Sequence, residues 1–240
     1  MSANPIITSS PRSTGAHPKT AFQTAPRIQQ ALTSKYERTV LIWLAQHTPD
    51  FINADHLSGL GFVAQLLAGV SYALAHRNKF ALLWVNCFIL LNWLGDSLDG
   101  TLARVRGQLR PRYGFYVDHM SDTFGAAFLM LGLALSGYVH WQVALGMLIA
   151  FLILSVETYL ATYAVGEFRM SHGPFGPTEI RILLVVGNFA LLFHPLVRGF
   201  GHSFLLFDVG GVSAIAGMML MAFAGALRHT VQLYREEPRS

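Results

Sequence analysis

An all-α membrane protein is the fold class this sequence predicts: a polytopic bundle of six transmembrane helices preceded by an interfacial amphipathic helix. Three observations predict it. Of 240 residues, 52% are hydrophobic and only 12% charged, against about 25% charged in ordinary soluble domains. Six apolar runs are each long enough to cross a hydrocarbon core of about 30 Å, which takes roughly 20 helical residues. The connections between the runs are short. Because lipid satisfies no backbone polar group, such runs cross as helices gathered into one bundle.

The six runs are Leu57 to Ala75, Phe80 to Leu98, Gly114 to Tyr138, Trp141 to Val165, Ile180 to Val197 and Phe204 to Leu227. Ahead of them, residues 1–34 are rich in Ser, Thr and Pro and lack the apolar core of a signal peptide. They read as a disordered segment, although basic, acid-free composition is also that of organelle transit peptides. Residues 35–53 place Tyr36, Val40, Trp43, Leu44 and His47 at helical spacing, the pattern of a helix lying along the interface. Residues 54–230 form the six-helix unit and residues 231–240 a cytoplasmic tail. The lone cysteine, Cys87, falls inside the second run, so no disulfide or Cys-based metal site is available.

Lys and Arg orient the bundle. Fourteen of the seventeen lie in the N-terminal segment, the second and fourth connections and the tail; Arg77, Lys79 and Arg198 lie on the other side. The positive-inside rule then places both termini and the second connection in the cytoplasm, for a bacterium at the inner (plasma) membrane. The net charge of +4 is this bias, and nothing is left over to suggest nucleic acid.

One stretch breaks the apolar pattern. "GDSLDGTLARVRGQLRPRYGFYVDHMSD", Gly95 to Asp122, holds four of the thirteen acidic residues. The runs on either side continue as helices, so Asp96 and Asp99 lie about 60° apart on one helix face, and Asp118 and Asp122 about 40° apart on another. The short connection makes these helices antiparallel neighbours with all four carboxylates at one membrane edge. A lone Asp-x-x-Asp at a span end is ordinarily a solvated helix terminus. Two such pairs in phase are different, since charge inside spans is costly and marks function. Four like charges need protons or cations to share a partly dehydrated pocket. Hard oxygen ligands select Mg²⁺, Mn²⁺ or Ca²⁺ over Zn²⁺, and Mg²⁺ commonly completes its shell with substrate phosphate. Gly100 and Ala103 leave space beside the carboxylates, and Arg104 offers a cation to phosphate. Taken alone, Gly100 and Ala103 also suit helix packing, and Arg104, Arg106, Arg110 and Arg112 suit orientation.

These residues form a pattern. Asp96-x-x-Asp99-Gly100-x-x-Ala103-Arg104, then nine residues, then Gly114-x-x-x-Asp118-x-x-x-Asp122, resembles the signature of the CDP-alcohol phosphotransferase (CDP-alcohol phosphatidyltransferase) family. The linker departs by one residue from the commoner length. The resemblance covers roughly Lys35 to Leu227 and includes "INADHLSGLG" at the first run. It implies that Asp96, Asp99, Asp118 and Asp122 hold two Mg²⁺ or Mn²⁺ ions, with Asp122 also the general base. It further implies that Gly100, Ala103 and Arg104 contact the cytidine diphosphate, and that the protein is a homodimer in the lipid bilayer. The implied reaction takes a CDP-linked donor, CDP-diacylglycerol or a CDP-aminoalcohol, and an alcohol acceptor, and releases CMP.

The signature does not separate those donors. "VETYLATYAVGEFRMSHGPFGPTEIR" places Glu157, Arg169, His172, Glu179 and Arg181 on the side of the aspartates. Either Arg169 and Arg181 hold the phosphate of an acceptor such as glycerol phosphate or inositol phosphate, or Glu157 and Glu179 meet an amine, as the resemblance of "VETY" and "GPTE" to choline and ethanolamine phosphotransferases implies. The Gly-Lys-x-Lys-Thr segment of phosphatidylglycerophosphate synthases is missing. His172 reads as a loop residue and His119 as a packing residue.

Other classes explain less. A cation- or proton-coupled transporter puts carboxylates near the midplane of repeated halves, whereas these crowd one edge and no repeat is visible. An intramembrane aspartyl protease leaves two aspartates and Arg104 unused. A UbiA-like prenyltransferase spaces its aspartates differently. An inactive member that only binds lipid or a partner has no use for the complete set.

Overall fold

The computed structural model describes residues 27–28, 34–165, 168–169, 177–199 and 201–237. The expectation of disorder for residues 1–34 falls almost entirely outside them. In chain order the elements are β1 (Arg27–Ile28), α1 (Ser34–His47), α2 (Ala54–Ala75), α3 (Ala81–Val105), α4 (Pro111–Leu135), α5 (Trp141–Ala164), β2 (Phe168–Arg169), α6 (Pro177–Phe193), β3 (Leu196–Gly199), β4 (His202–Leu205) and α7 (Leu206–Glu236). Among the described residues the fold is all-α apart from a two-residue parallel pairing of β1 with β2 and a hairpin of β3 with β4.

Among the described residues four helices, α2, α3, α5 and α7, are long and apolar enough to cross a bilayer. Their outward faces carry large apolar side chains such as Trp84, Leu90, Leu160, Leu220 and Phe223, surface that water would not tolerate at this density. This is an integral membrane protein.

The helices end where local chemistry stops them rather than where hydropathy fades. α3 runs about two turns past the apolar run, so Asp99 and Arg104, like Asp96 within the run, sit in regular helix. Its end is a Schellman turn: Gly107 takes φ +66°, its N–H donates to Arg104 O, and Gln108 N–H donates to Ala103 O at 2.8 Å. Pro111 then opens α4 at its first turn, where no donor is needed. α6 stops at Phe193, short of the expected Val197, because Pro195 cannot continue it. The apolar residues beyond, Leu196 and Val197, belong to the hairpin, which turns through Gly201 at φ +79°. α7 runs on to Glu236, so most of the segment set apart as a tail is helical.

The expected pairing of α3 with α4 is corrected. α2 packs along both, while α3 and α4 scarcely approach each other. The reason is glycine. At Gly95 an added Cβ would stand 2.6 Å from Leu57 O and 2.7 Å from Gly61 N, so α2 and α3 cross backbone to backbone. At Gly69 it would stand 2.6 Å from Phe128 O, and at Gly132 it would overlap the Gly69 carbonyl, so α2 and α4 do the same. Small residues permit such crossings, which a bilayer rewards through dispersion. One helix thus lies deep between two, and the aspartate-bearing helices splay apart on either side of it.

Two apolar clusters lock this arrangement. Tyr72, Leu82, Val85, Leu133 and Leu191 join α2, α3, α4 and α6. Leu41 and Ala45 of α1 pack on Leu57, Leu98 and Leu102. The bundle-facing side of α1 is therefore Leu41 and Ala45, while Val40 and Trp43 of the sequence stripe stay exposed on a different face. That second face suits lipid. Within the cluster, Tyr72 O–H donates to Asn188 Oδ1 and Asn188 Nδ2 donates to Asn86 Oδ1, both at 2.8 Å, linking three helices by buried polar groups.

Candidate active site

A polar pocket opens in the gap that α2 keeps between α3 and α4. Ser58, Gly61, Phe62 and Gln65 of α2 form its floor, Asn92, Asp96 and Asp99 of α3 one wall, and Asp118, Ser121 and Asp122 of α4 the other. All four sequence-flagged aspartates meet there. The helical phases put each pair on the inner face of its helix, and the α2 glycines set the width of the gap.

The carboxyls are held individually. Arg181, from α6, donates from one terminal nitrogen to Asp96 Oδ2 at 2.6 Å and from Nε to Asn92 Oδ1 at 3.1 Å. Asn92 in turn donates to Gly61 O at 3.0 Å. Asp99 accepts from the Ser58 hydroxyl and the Gly100 N–H. Asp118 Oδ2 lies 3.3 Å from His119 Nδ1, whose ring packs on Phe115 and Tyr159 at centroid distances of 4.1 and 4.7 Å. Packing is thus part of the role of His119, as the sequence suggests.

The donors fit a hard divalent cation in kind: four carboxyls share one pocket, with Arg181 the guanidinium bonded to one of them. Among the described residues no three such groups converge on one point in this arrangement. Arg181 bonds an oxygen of Asp96, and Ser58 an oxygen of Asp99.

Gly100 separates from the packing glycines. A Cβ there would meet nothing within 4 Å, as at Gly114. Gly100 therefore borders open space, and helix packing does not account for it. Ala103 is half-buried and Arg104 exposed one turn beyond Gly100.

Two other arginines of the second connection have structural partners. Arg106 donates to Ile52 O at 2.6 Å and Thr48 O at 2.8 Å, clamping the turn between α1 and α2. Arg110 pairs with Asp55 and stacks on Tyr113 at 4.2 Å.

Of the later candidates, Arg181 reaches the pocket. Glu157 is taken by His229 Nδ1 at 2.7 Å across α5 and α7, and Glu179 is 8% exposed. Of Arg169 only the backbone is described, and His172 lies outside the described residues. Sequence reasoning missed Ser58, Gln65, Asn92 and Ser121. Gln65 and Asn92 carried a signal, being amides within apolar runs, where polar groups need partners.

The chain is similar to known proteins. A family model described as CDP-alcohol phosphatidyltransferase matches residues 51–227. Archaetidylinositol phosphate synthase of Pyrococcus horikoshii is 31% identical over 114 residues, 47% of this chain and 53% of the relative. The chain thus spans about half the length of that curated relative. Among solved structures, phosphatidylinositol phosphate synthase of Mycobacterium tuberculosis with CDP-DAG bound is 20% identical, with TM-score 0.48 over 83% of this chain and 92% of that one. The same protein in complex with manganese and citrate is 21% identical, with TM-score 0.49 over 82% and 87%.

Proposed function

The chain belongs to the CDP-alcohol phosphatidyltransferase family, and from that premise we propose that it transfers a phosphatidyl-type group from a CDP-linked lipid donor to a phosphorylated polyol. The observation that carries this reading is the pocket between the splayed helices, lined by four carboxyls, one of which, Asp96, is bonded to Arg181. The transfer is a displacement. A hydroxyl oxygen of the acceptor attacks the phosphorus distal to cytidine, the bond from that phosphorus to the CMP oxygen breaks, and CMP leaves.

In this proposal Asp122 accepts the hydroxyl proton. Gly100 leaves the open wall against which the nucleotide lies, with Ala103 beside it and Arg104 directed to its phosphates. Asp96, Asp99 and Asp118, with Asp122 at the edge of the set, would hold two Mg²⁺ or Mn²⁺ ions. Such ions, when bound, offset charge on the diphosphate and on the attacking and leaving oxygens. Arg181 presents the planar fork that suits a phosphate on the acceptor. The name of the Pyrococcus horikoshii relative supports an inositol phosphate acceptor. No observation favours the aminoalcohol reading, because His229 engages Glu157.

The proposal extends to topology. α4 and α6 cross the bilayer with the other four, with Asp118, Ser121 and Asp122 of α4 lining the pocket and Arg181 of α6 bonded to its wall at Asp96. Residues 54–230 act as one catalytic unit, both termini face the cytoplasm, and two copies form a homodimer. The test is CMP release by purified protein in liposomes, with CDP-diacylglycerol or a CDP-aminoalcohol against a panel of acceptors and mass spectrometry of the lipid product. A phosphorylated polyol joined to the lipid phosphate supports the reading. CMP only from CDP-aminoalcohols, or from no donor, rejects it.

A further inference from the structure

Glu37 lies in the first turn of α1, outside the pocket, yet it gathers more donors than any surface carboxylate needs. Its Oε1 accepts from Trp93 Nε1 at 2.9 Å, from Ser97 Oγ at 3.3 Å and from Thr178 Oγ1 at 3.1 Å, and its Oε2 lies 3.3 Å from the same Thr178 hydroxyl. These donors come from α3 and α6, the two helices that carry Asp96 and Arg181. Ser97 adjoins Asp96. Thr178 stands three residues before Arg181, hence on the same side of α6 one turn earlier.

The contacts close a ring. Glu37 ties α1 to α3 and to the start of α6, and Arg181 ties α6 back to α3 through Asp96 and Asn92. α3 and α6 also pack directly. Residues 170–176, just before α6, lie outside the described residues, so Glu37–Thr178 is the described polar bond nearest that helix start. α1 in turn is seated by Leu41 and Ala45 and shows Val40 and Trp43 outward.

We propose that Glu37 is a positioning residue that holds the first turn of α6 against α3, and so fixes Arg181 over the pocket for the phosphate-bearing acceptor. The inference rests on the phosphate-binding reading of Arg181. A carboxylate is suited to the task because it accepts several bonds at once, and hydrogen bonds to a charged group are stronger than neutral ones. Its place on α1 also links the site to the element that shows Val40 and Trp43 outward.

The experiment uses the full chain in liposomes. Glu37→Ala is expected to raise the acceptor KM about tenfold or more, the scale on which a charge-assisted hydrogen bond counts, while the donor KM stays near wild type. Glu37→Gln, which keeps an accepting oxygen, is expected to recover most of the loss. If Glu37 acts through Arg181, then Glu37→Ala added to Arg181→Ala costs little further, whereas independent effects multiply. Hydrogen exchange at residues 178–181 gives a readout separate from turnover and is expected to speed up in Glu37→Ala. Where Glu37→Ala does not fold, Thr178→Val removes the α6 donor alone and is expected to show the same acceptor KM effect. Wild-type acceptor KM in the folded variant, multiplicative losses with Arg181→Ala, or unchanged exchange overturns the proposal. Absence of CMP release by the wild type rejects instead the functional reading beneath it, and the exchange result still judges the Glu37 tether.

Discussion

Replacing Gly95 by alanine is the sharpest perturbation of the crossing that builds the pocket. The new methyl would lie 2.6 Å from Leu57 O, 2.7 Å from Gly61 N and 2.9 Å from Gly61 Cα, all backbone atoms that cannot swing aside. Ordinary contact begins near 3.4 Å, so α2 and α3 must part by about 0.8 Å, an overpacking that costs about 1–3 kcal/mol. The Asn92–Gly61 hydrogen bond, now 3.0 Å, would stretch to about 3.8 Å, beyond bonding range. Ser58, which donates to Asp99 across the same crossing, is pulled with it. Asp96 is the next residue, and misplacement of a reacting array by about 1 Å costs about 10²-fold. Gly95→Ala is therefore expected to lower the midpoint of thermal unfolding in detergent and to reduce kcat/KM for CMP release by about one to two orders of magnitude. A variant with wild-type stability and wild-type turnover would refute the crossing as the source of the site's geometry.

Gly100→Ala is the matched contrast. With nothing within 4 Å of the new methyl and a better helix former in place, stability is expected to hold or rise by up to about 1 kcal/mol, while the donor KM increases; an unchanged donor KM would remove Gly100 from the nucleotide wall. Asp122→Asn is expected to keep donor binding, read by isothermal titration, and to lose about 10²- to 10⁴-fold in turnover. Asn188→Leu strands the Tyr72 hydroxyl and the Asn86 amide in the core. A loss of about 1–2 kcal/mol is expected in detergent unfolding, with activity at low temperature little altered.

Much of the site was legible because charge inside an apolar chain is rare. Asp96, Asp99, Asp118 and Asp122 stood out by type and phase, and the structure gathers them in one pocket. What periodicity does not encode is which helix lies between which. The glycines that seat α2 between α3 and α4, Gly61, Gly95, Gly69 and Gly132, look in sequence like Gly100, and only the neighbouring backbone tells them apart. Hydropathy also misjudged ends. It ended the second run at Leu98, between Asp96 and Asp99, since polar residues lower hydropathy without breaking a helix, and it carried the fifth through Pro195, since Leu196 and Val197 are apolar in strand as in helix. Arg181 was visible as a candidate cation, yet its bond to Asp96 joins residues 85 positions apart. Glu37 gave no sign, because a first-turn acid on an amphipathic helix is ordinary until three donors are seen around it.

Divalent-cation binding tests the central claim most directly. Mn²⁺ titrated into the purified protein with a CDP-linked donor, followed by electron paramagnetic resonance of the free ion, is expected to show two bound ions in the wild type. Asp99→Asn and Asp118→Asn are each expected to weaken that binding by at least about tenfold, the loss that even a supporting partner of a metal ligand brings. Mn²⁺ uptake that is the same in the wild type and in a variant lacking all four carboxylates would contradict the account.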